Sequence, residues 1–292
     1  MSLIVVNPSL TLVPDGAADD RRLTGISTMA PLRLVLAGAE QVSDRWQDAT
    51  FQTSFWRIYQ ADAPGVSLHW AGGSMAYPVT GLICIPGWLR FRFHWRERVV
   101  HRYIHFEPMG WSRDQVEACF PAPFLLNDPD LGRELRRITS GFSAADAWPP
   151  AIAWAAQGLA CRCLSAAIER LKPTAKRRLS PIGHGRFAPA MALVEEALHR
   201  TLSVDELAAT AGMRPQPFIR AFRRAHATTP AQFVIERRVA RAGRLLLEGE
   251  LDLPAVARAC GFPDRHYFTR RFTRIMGVGP ALFRRRLTGA DE

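Results

Sequence analysis

The chain has 292 residues, 48 % of them hydrophobic and 22 % charged, which is a globular balance with room for two domains of ordinary size. Its formal charge of +11 comes almost wholly from arginine, because Lys172 and Lys176 are the only lysines. Guanidinium suits phosphate and guanine, so nucleic acid is the first partner to consider, while the five irregularly spaced cysteines argue against a disulfide framework or a zinc site.

Residues 1–30 carry no basic n-region or small-residue cleavage site and read as loosely structured. No apolar run of membrane length is expected, so the location expected is cytoplasmic. From about 51 to 107 the chain reads as short strands: FWRIY, SLHW, LICIP, LRFRFHW and HRYIHF are aromatic and branched, with Pro and Gly between them. That spacing suggests a small β-sandwich or barrel. From about 129 to 171 the pattern turns helical, in DLGRELRRI and then PAIAWAAQGLACRCLSAAIERL. The basic, Pro- and Gly-punctuated KPTAKRRLSPIGHGR reads as a linker over 172–186. All eight tryptophans precede it.

From 187 onward helices and tight turns alternate, and the pattern repeats. Leu207-Ala208-x-x-x-Gly212 recurs as Val256-Ala257-x-x-x-Gly261, and Phe218-x-Arg220-x-Phe222 recurs as Phe268-x-Arg270-x-Phe272, at offsets of 49 and then 50 residues. Pro230 and Pro280 close the two units. Ser203 and Glu206 have the spacing of a capping box, so a helix should start at Val204. Ala208 is small where two helices cross, and Gly212 can take the positive φ of a sharp turn. In the following helix Phe218 and Phe222 bury one face, leaving Gln216, Ile219, Arg220 and Arg223 on the other. In the second unit Asp264 is the cap, and Arg265, His266, Thr269 and Arg270 face out. This is the layout of two helix-turn-helix units.

The stretch GFPDRHYFTRRFTRIMGVGPALFRRR resembles the AraC-type signature, and LAATAGM…FIRAFRRA…TPAQFVIERRVARAGRLLL resembles the upstream half of the same family. Together they cover about 187–287. The resemblance implies an AraC-type DNA-binding domain over 187–288, with double-stranded promoter or operator DNA as partner and no enzymatic activity. It places base reading on Gln216, Ile219, Arg220, Arg265, His266, Thr269 and Arg270. Arg223, Arg224, Arg271 and Arg274 are candidates for phosphate. Three departures concern the first unit. Arg214 stands at the usual Ser/Thr cap with Pro215 and Pro217 in the first turn, of which Pro217 is expected to shorten the start of the helix; Ala227 replaces a glycine; and Ile219 can touch only apolar surface such as a thymine methyl.

The segment FWRIYQADAPGVSLHWAGGSMAYPVTGLICIP…HRYIHFEP is similar to the cupin-like half of some AraC-type regulators. The similarity implies an α+β chain: a cupin-like β-barrel sensor over 31–125, a helical dimerisation segment over 126–171, then the linker and the DNA-binding domain. It also implies a small-molecule effector, a homodimer, and RNA polymerase as a further partner of an activator. His69, Trp70 and Trp88 are the candidate effector residues, since ligand sites favour aromatics with few polar groups. His94, His101, His105 and Glu107 invite a metal, but the ligand order of metal-binding cupins is missing, so neither metal nor cofactor is expected. No Ser-His-Asp set, paired carboxylates or phosphate loop supports an enzyme. The other reading is a non-specific architectural DNA-binding protein, for which charge alone would suffice.

Overall fold

The computed structural model describes residues 32–42, 50–96, 99–140, 149–179 and 186–288; the N-terminal stretch expected to be loose lies outside them. The first half is built on two antiparallel sheets. The larger contains β1 (Leu32–Gln41), β3 (Trp56–Ala61), β6 (Leu82–Ile85), β8 (Val100–Pro108) and β9 (Phe124–Leu126), in the order β1-β8-β3-β6-β9. The smaller contains β2 (Thr50–Phe51), β4 (Val66–Trp70), β5 (Gly73–Ala76) and β7 (Phe91–Trp95), in the order β2-β7-β4-β5. Among the described residues no strand of one sheet pairs with a strand of the other. The sheets face each other as an open sandwich, not as the closed cupin-like barrel that the resemblance implied.

Strand alternation explains how one sheet serves two cores. Every residue of β3 is buried. Tyr59 and Ala61 point between the sheets, among Phe51, Tyr77, Phe91, Phe93 and Tyr103. Trp56 and Ile58 point the other way, into a core with Trp111, Phe120, Leu135 and Leu159. That outer face is covered by α1 (Arg113–Cys119), α2 (Pro129–Thr139) and α3 (Pro150–Glu169). By length and composition α3 is apolar enough to cross a membrane, which the sequence reading did not expect. In the fold it lays Leu159, Ala160, Cys163 and Leu164 on the sandwich instead. Within the linker, α4 (Pro173–Lys176) forms one helical turn.

The remainder is helical: α5 (Ala188–Glu196), α6 (Val204–Thr210), α7 (Pro215–His226), α8 (Pro230–Glu248), α9 (Leu253–Ala259), α10 (Arg265–Met276) and α11 (Pro280–Thr288). Local chemistry sets these ends. Ser203 accepts from the Glu206 amide at 3.0 Å and starts α6 at Val204, but the Glu206 carboxylate does not close the box; it pairs with Arg200. Asp252 and Asp264 cap α9 and α10, each accepting an amide at 2.7 Å. Arg214 caps α7 only through its backbone. Pro217 does not shorten that helix, because it occupies the first turn, where no amide has an intrahelical partner to lose. Ala227 takes φ 58° after α7, the left-handed conformation that Gly277 takes after α10 at φ 77°. Asp264→Ala should cost about 1 kcal/mol. Thermal unfolding followed by helicity measures it, and an unchanged midpoint would mean that the cap carries no stability.

Two clusters hold the helical half together. Phe218 and Phe222 of α7 pack with Leu207, Ala208, Val194, Leu198 and Phe233. Phe268 and Phe272 of α10 pack with Val256, Ala257, Val239, Ala242 and Phe283. The 19-residue α8 enters both, through Phe233 at one end and Leu246 at the other. One rigid rod thus carries two helix pairs, α6–α7 and α9–α10.

Candidate nucleic-acid interface

The buried phenylalanines decide what α7 and α10 expose. With Phe218 and Phe222 inward, Gln216, Arg220, Arg223 and Arg224 are exposed and Ile219 is half-buried. With Phe268 and Phe272 inward, Arg265, His266, Arg270 and Arg274 are exposed and Thr269 is half-buried. Eight of the eleven predicted DNA residues are therefore exposed on two helices, and Ile219, Thr269 and Arg271 are half-buried. Arg271 differs. It is half-buried, donates to Gln232 Oε1 of α8 at 3.0 Å and lies 5.9 Å from the Tyr267 ring. The exposed Arg270 lies 6.0 Å from the same ring. The resemblance implied base reading for Arg270 and phosphate contact for Arg271, and the spacing gave no sign that Gln232 would hold the second of them.

The β-domain packs against this helical part through α5, α8 and the ends of α7 and α10. Glu107, at the end of β8, is 1 % exposed. Its carboxylate accepts from Ser54 at 2.7 Å and from Arg244 of α8, with Arg237 of α8 at 3.7 Å and Arg33 of β1 at 4.0 Å. Arg237 also pairs with Glu195 of α5, which Arg33 reaches at 3.3 Å. Burial pushes the Glu107 carboxyl upward, but Arg244, Arg237, the Ser54 hydroxyl and Arg33 together outweigh it and hold the group below the ordinary carboxylate range. Glu195 is lowered in the same way, burial being outweighed chiefly by Arg237.

A second contact involves α1. Ser112 caps α1 in a complete capping box with Gln115, and its hydroxyl donates to the His226 carbonyl at the end of α7. Gln115 Nε2 donates to the Ala225 carbonyl at 3.0 Å. Arg113 donates to the Ile275 carbonyl, in the last turn of α10, at 3.3 Å. Neither Glu107 nor these α1 residues had a local sequence signal for such a role.

The candidate effector residues separate. Trp70 and Trp88 line a surface hollow of about 320 Å³ together with Gln52, Glu117 and Phe120. His69 is not in its wall; it hydrogen-bonds Ser67 at 2.8 Å and faces His94. His101 and His105 point between the sheets, where Tyr59 meets His105 Nε2 at 3.0 Å. Burial, with Arg57 adding, drives His101 down to about 3, so it is neutral at ordinary pH. Glu107 faces the helical domain instead. Among the described residues no group of three or more His, Cys, Asp and Glu could hold a metal.

Residues 207–286 match a family described as "Helix-turn-helix domain". The chain is similar to the MmsAB operon regulatory protein of Pseudomonas aeruginosa, 29 % identical over 96 residues, which are 33 % of this chain and 31 % of that protein. It is similar to the HTH-type transcriptional regulator ArgR of the same organism, 25 % identical over 215 residues, 70 % of this chain and 60 % of that one. The matches thus span between a third and three fifths of these relatives' lengths. Among solved structures, apo ToxT K231A from Vibrio cholerae superposes over 90 % of this chain and 100 % of its own, with a TM-score of 0.58 and 11 % identity. ToxT bound to an unsaturated fatty acid superposes with a TM-score of 0.56 at 12 % identity, over 89 % of this chain and 98 % of that one. At such identities the likeness is one of fold: a β-rich first domain followed by a helical second. The helical third of this chain is an AraC-type helix-turn-helix domain, and the relatives that share it are named as transcriptional regulators, not enzymes.

Proposed function

We propose that this chain is a sequence-specific DNA-binding transcription regulator, cytoplasmic and effector-responsive, with two helix-turn-helix units reading adjacent major-groove segments of promoter DNA. The observation that carries this reading is the pair of arginine-bearing faces, on α7 and α10, displayed from one rigid α8. Helices so mounted suit major-groove segments one turn apart, about 34 Å. Residues 187–288 are the reading domain, 31–125 a cupin-related sensor, 126–171 a dimerisation segment and 172–186 a linker. Homodimer formation through α3 is supported by Trp154, a large apolar side chain that is 73 % exposed on that helix. RNA polymerase is a further partner where the chain activates. A small molecule in the hollow beside Trp70 and Trp88 is the effector, in line with a structural neighbour solved with a fatty acid.

Selection of binding sites from random DNA by the full chain, at about physiological salt, tests the reading. Enrichment of two elements one helical turn apart is expected. Absence of enrichment, with binding that vanishes as salt rises, would favour an architectural, non-specific protein instead. Arg270→Ala should cost about 1–3 kcal/mol and relax preference at a single position, as a lost base contact does. Uniform weakening across sequences would assign Arg270 to phosphate.

A further inference from the structure

The hollow beside Trp88 and the end of α10 share a wall. Gln52, in that wall, donates from Nε2 to the Trp88 carbonyl at 3.0 Å. Its Oε1 lies 3.1 Å from where a Cβ on Gly277 would stand, so it touches the residue that ends α10. Arg113 makes the second connection. Its guanidinium lies 5.5 Å from the Trp88 ring and pairs through Nε with Glu117, another wall residue, at 2.7 Å. The same guanidinium donates through NH1 to the Ile275 carbonyl of α10. Its backbone amide reaches Glu236 of α8 at 3.5 Å. Glu236 accepts from Gln232 at 3.0 Å, and Gln232 in turn accepts from Arg271 of α10. One side chain thus touches two walls of the hollow and the last turn of a DNA-reading helix, while its neighbours Ser112 and Gln115 hold the last turn of α7.

These contacts leave the first turns of α7 and α10 open to DNA and grip only their C-terminal ends. A shift of Trp88 or Glu117 moves the guanidinium that both share. Carbonyls in the final turn of a helix lack intrahelical donors, so a donor held there fixes where that helix ends. We propose that Arg113 is a positioning residue that couples occupancy of the Trp88 hollow to the placement of the two DNA-reading helices. The proposal rests on the effector reading given above for Trp70 and Trp88. The walls are largely apolar, with Trp70, Trp88, Leu89, Phe120 and Pro121, and carry Gln52, Arg90 and Glu117 as polar and charged groups. The aromatic walls, the charged groups at their rim and the small volume call for a flat molecule of single-ring size that carries a polar substituent, at the low end of ligand pockets.

Amide hydrogen exchange on the full chain tests the coupling without DNA and without a known effector. Trp88→Ala should speed exchange in the last turn of α10 by about fivefold or more. The same substitution in an Arg113→Met background should add little, and exchange in α5 and α6 should not change in either. An equal Trp88→Ala effect with and without Arg113, or no effect at α10, overturns the proposal. Where far-UV circular dichroism shows that Trp88→Ala does not fold, Gln52→Met in the same cycle reads the same wall and must give the same non-additivity. Phenol serves as a probe of the hollow. It should slow exchange at α10 in the wild type and not in Arg113→Met. An intact mutant cycle with no phenol response would uphold the coupling and overturn the effector reading alone.

Discussion

Glu107→Gln is expected to uncouple the two domains, at a cost of about 3–5 kcal/mol at their interface. The substitution keeps the shape of the side chain and removes its charge. Arg237 and Arg244, both largely buried on α8, and Arg33 on β1 would then share Glu195 as the remaining carboxylate of the cluster. Leaving buried guanidinium groups without compensation is costly, because the low-dielectric interior offers them no solvent in exchange. The distribution of tryptophan makes the outcome readable. All eight lie at or before position 154, so fluorescence follows the β-domain and α3, while far-UV helicity is dominated by the DNA-binding half. In the wild type the two signals should report one transition. In Glu107→Gln they should separate, the DNA-binding half unfolding earlier. Coincident transitions at unchanged midpoints would show that the cluster does not tie the domains together.

The same cluster predicts an acid limb. Glu107 and Glu195 are both held below the ordinary carboxylate range. Their contribution is fully present above the unfolded value of about 4.3 and is lost as pH falls through their lower folded values. Glu236 is raised by its burial and works in the opposite sense. His101 and His226, pushed by burial down to about 3 and about 4, begin to weaken the fold higher, as pH drops below about 6.5 where an unfolded histidine takes up its proton. That histidine limb is common to the wild type and Glu107→Gln. The difference between their stability curves below about pH 4.3 therefore isolates the carboxylate cluster.

What could be read from the chain and what could not divide along sequence distance. The helix pairs were legible because their chemistry is local: Asp264 caps the helix it precedes, and Phe268 and Phe272 share a face by spacing alone. The misreadings in the same region are local too. Pro217 was expected to shorten α7, yet the first turn tolerates a missing amide; Glu206 has the capping-box spacing, yet a nearby Arg200 captures its carboxylate. In the β-domain alternation tells which face is buried but not whether the sheet edges meet, so barrel and sandwich could not be separated. Glu107 sits on the same strand as His101 and His105 and drew attention as a metal ligand. Its actual partners, Arg33, Arg237 and Arg244, come from the edge of the sheet and from a helix more than a hundred residues away. No pattern within a strand encodes that.

Phe268→Ala should cost about 3–5 kcal/mol and disable the α9–α10 helix pair. Phe268 is fully buried; its ring lies 5.2 Å from Phe262 and 5.5 Å from Phe272, which in turn meets Phe283 of α11 at 5.1 Å. Removing it empties the space between α9 and α10, and these neighbours, held on three different elements, cannot all close on it. Phe268→Leu keeps most of the volume and should cost roughly 1–1.5 kcal/mol. The corresponding cluster of the α6–α7 pair, around Phe218 and Phe222, shares only α8 with this one, so on the proposed two-element reading protection of selected DNA should shrink to one element rather than vanish. Unchanged protection of both elements by Phe268→Ala would contradict a DNA-reading role for α10. Simultaneous loss of both elements would instead show that α8 passes the damage from one end to the other, making the two units a single cooperative body whose elements cannot be bound separately.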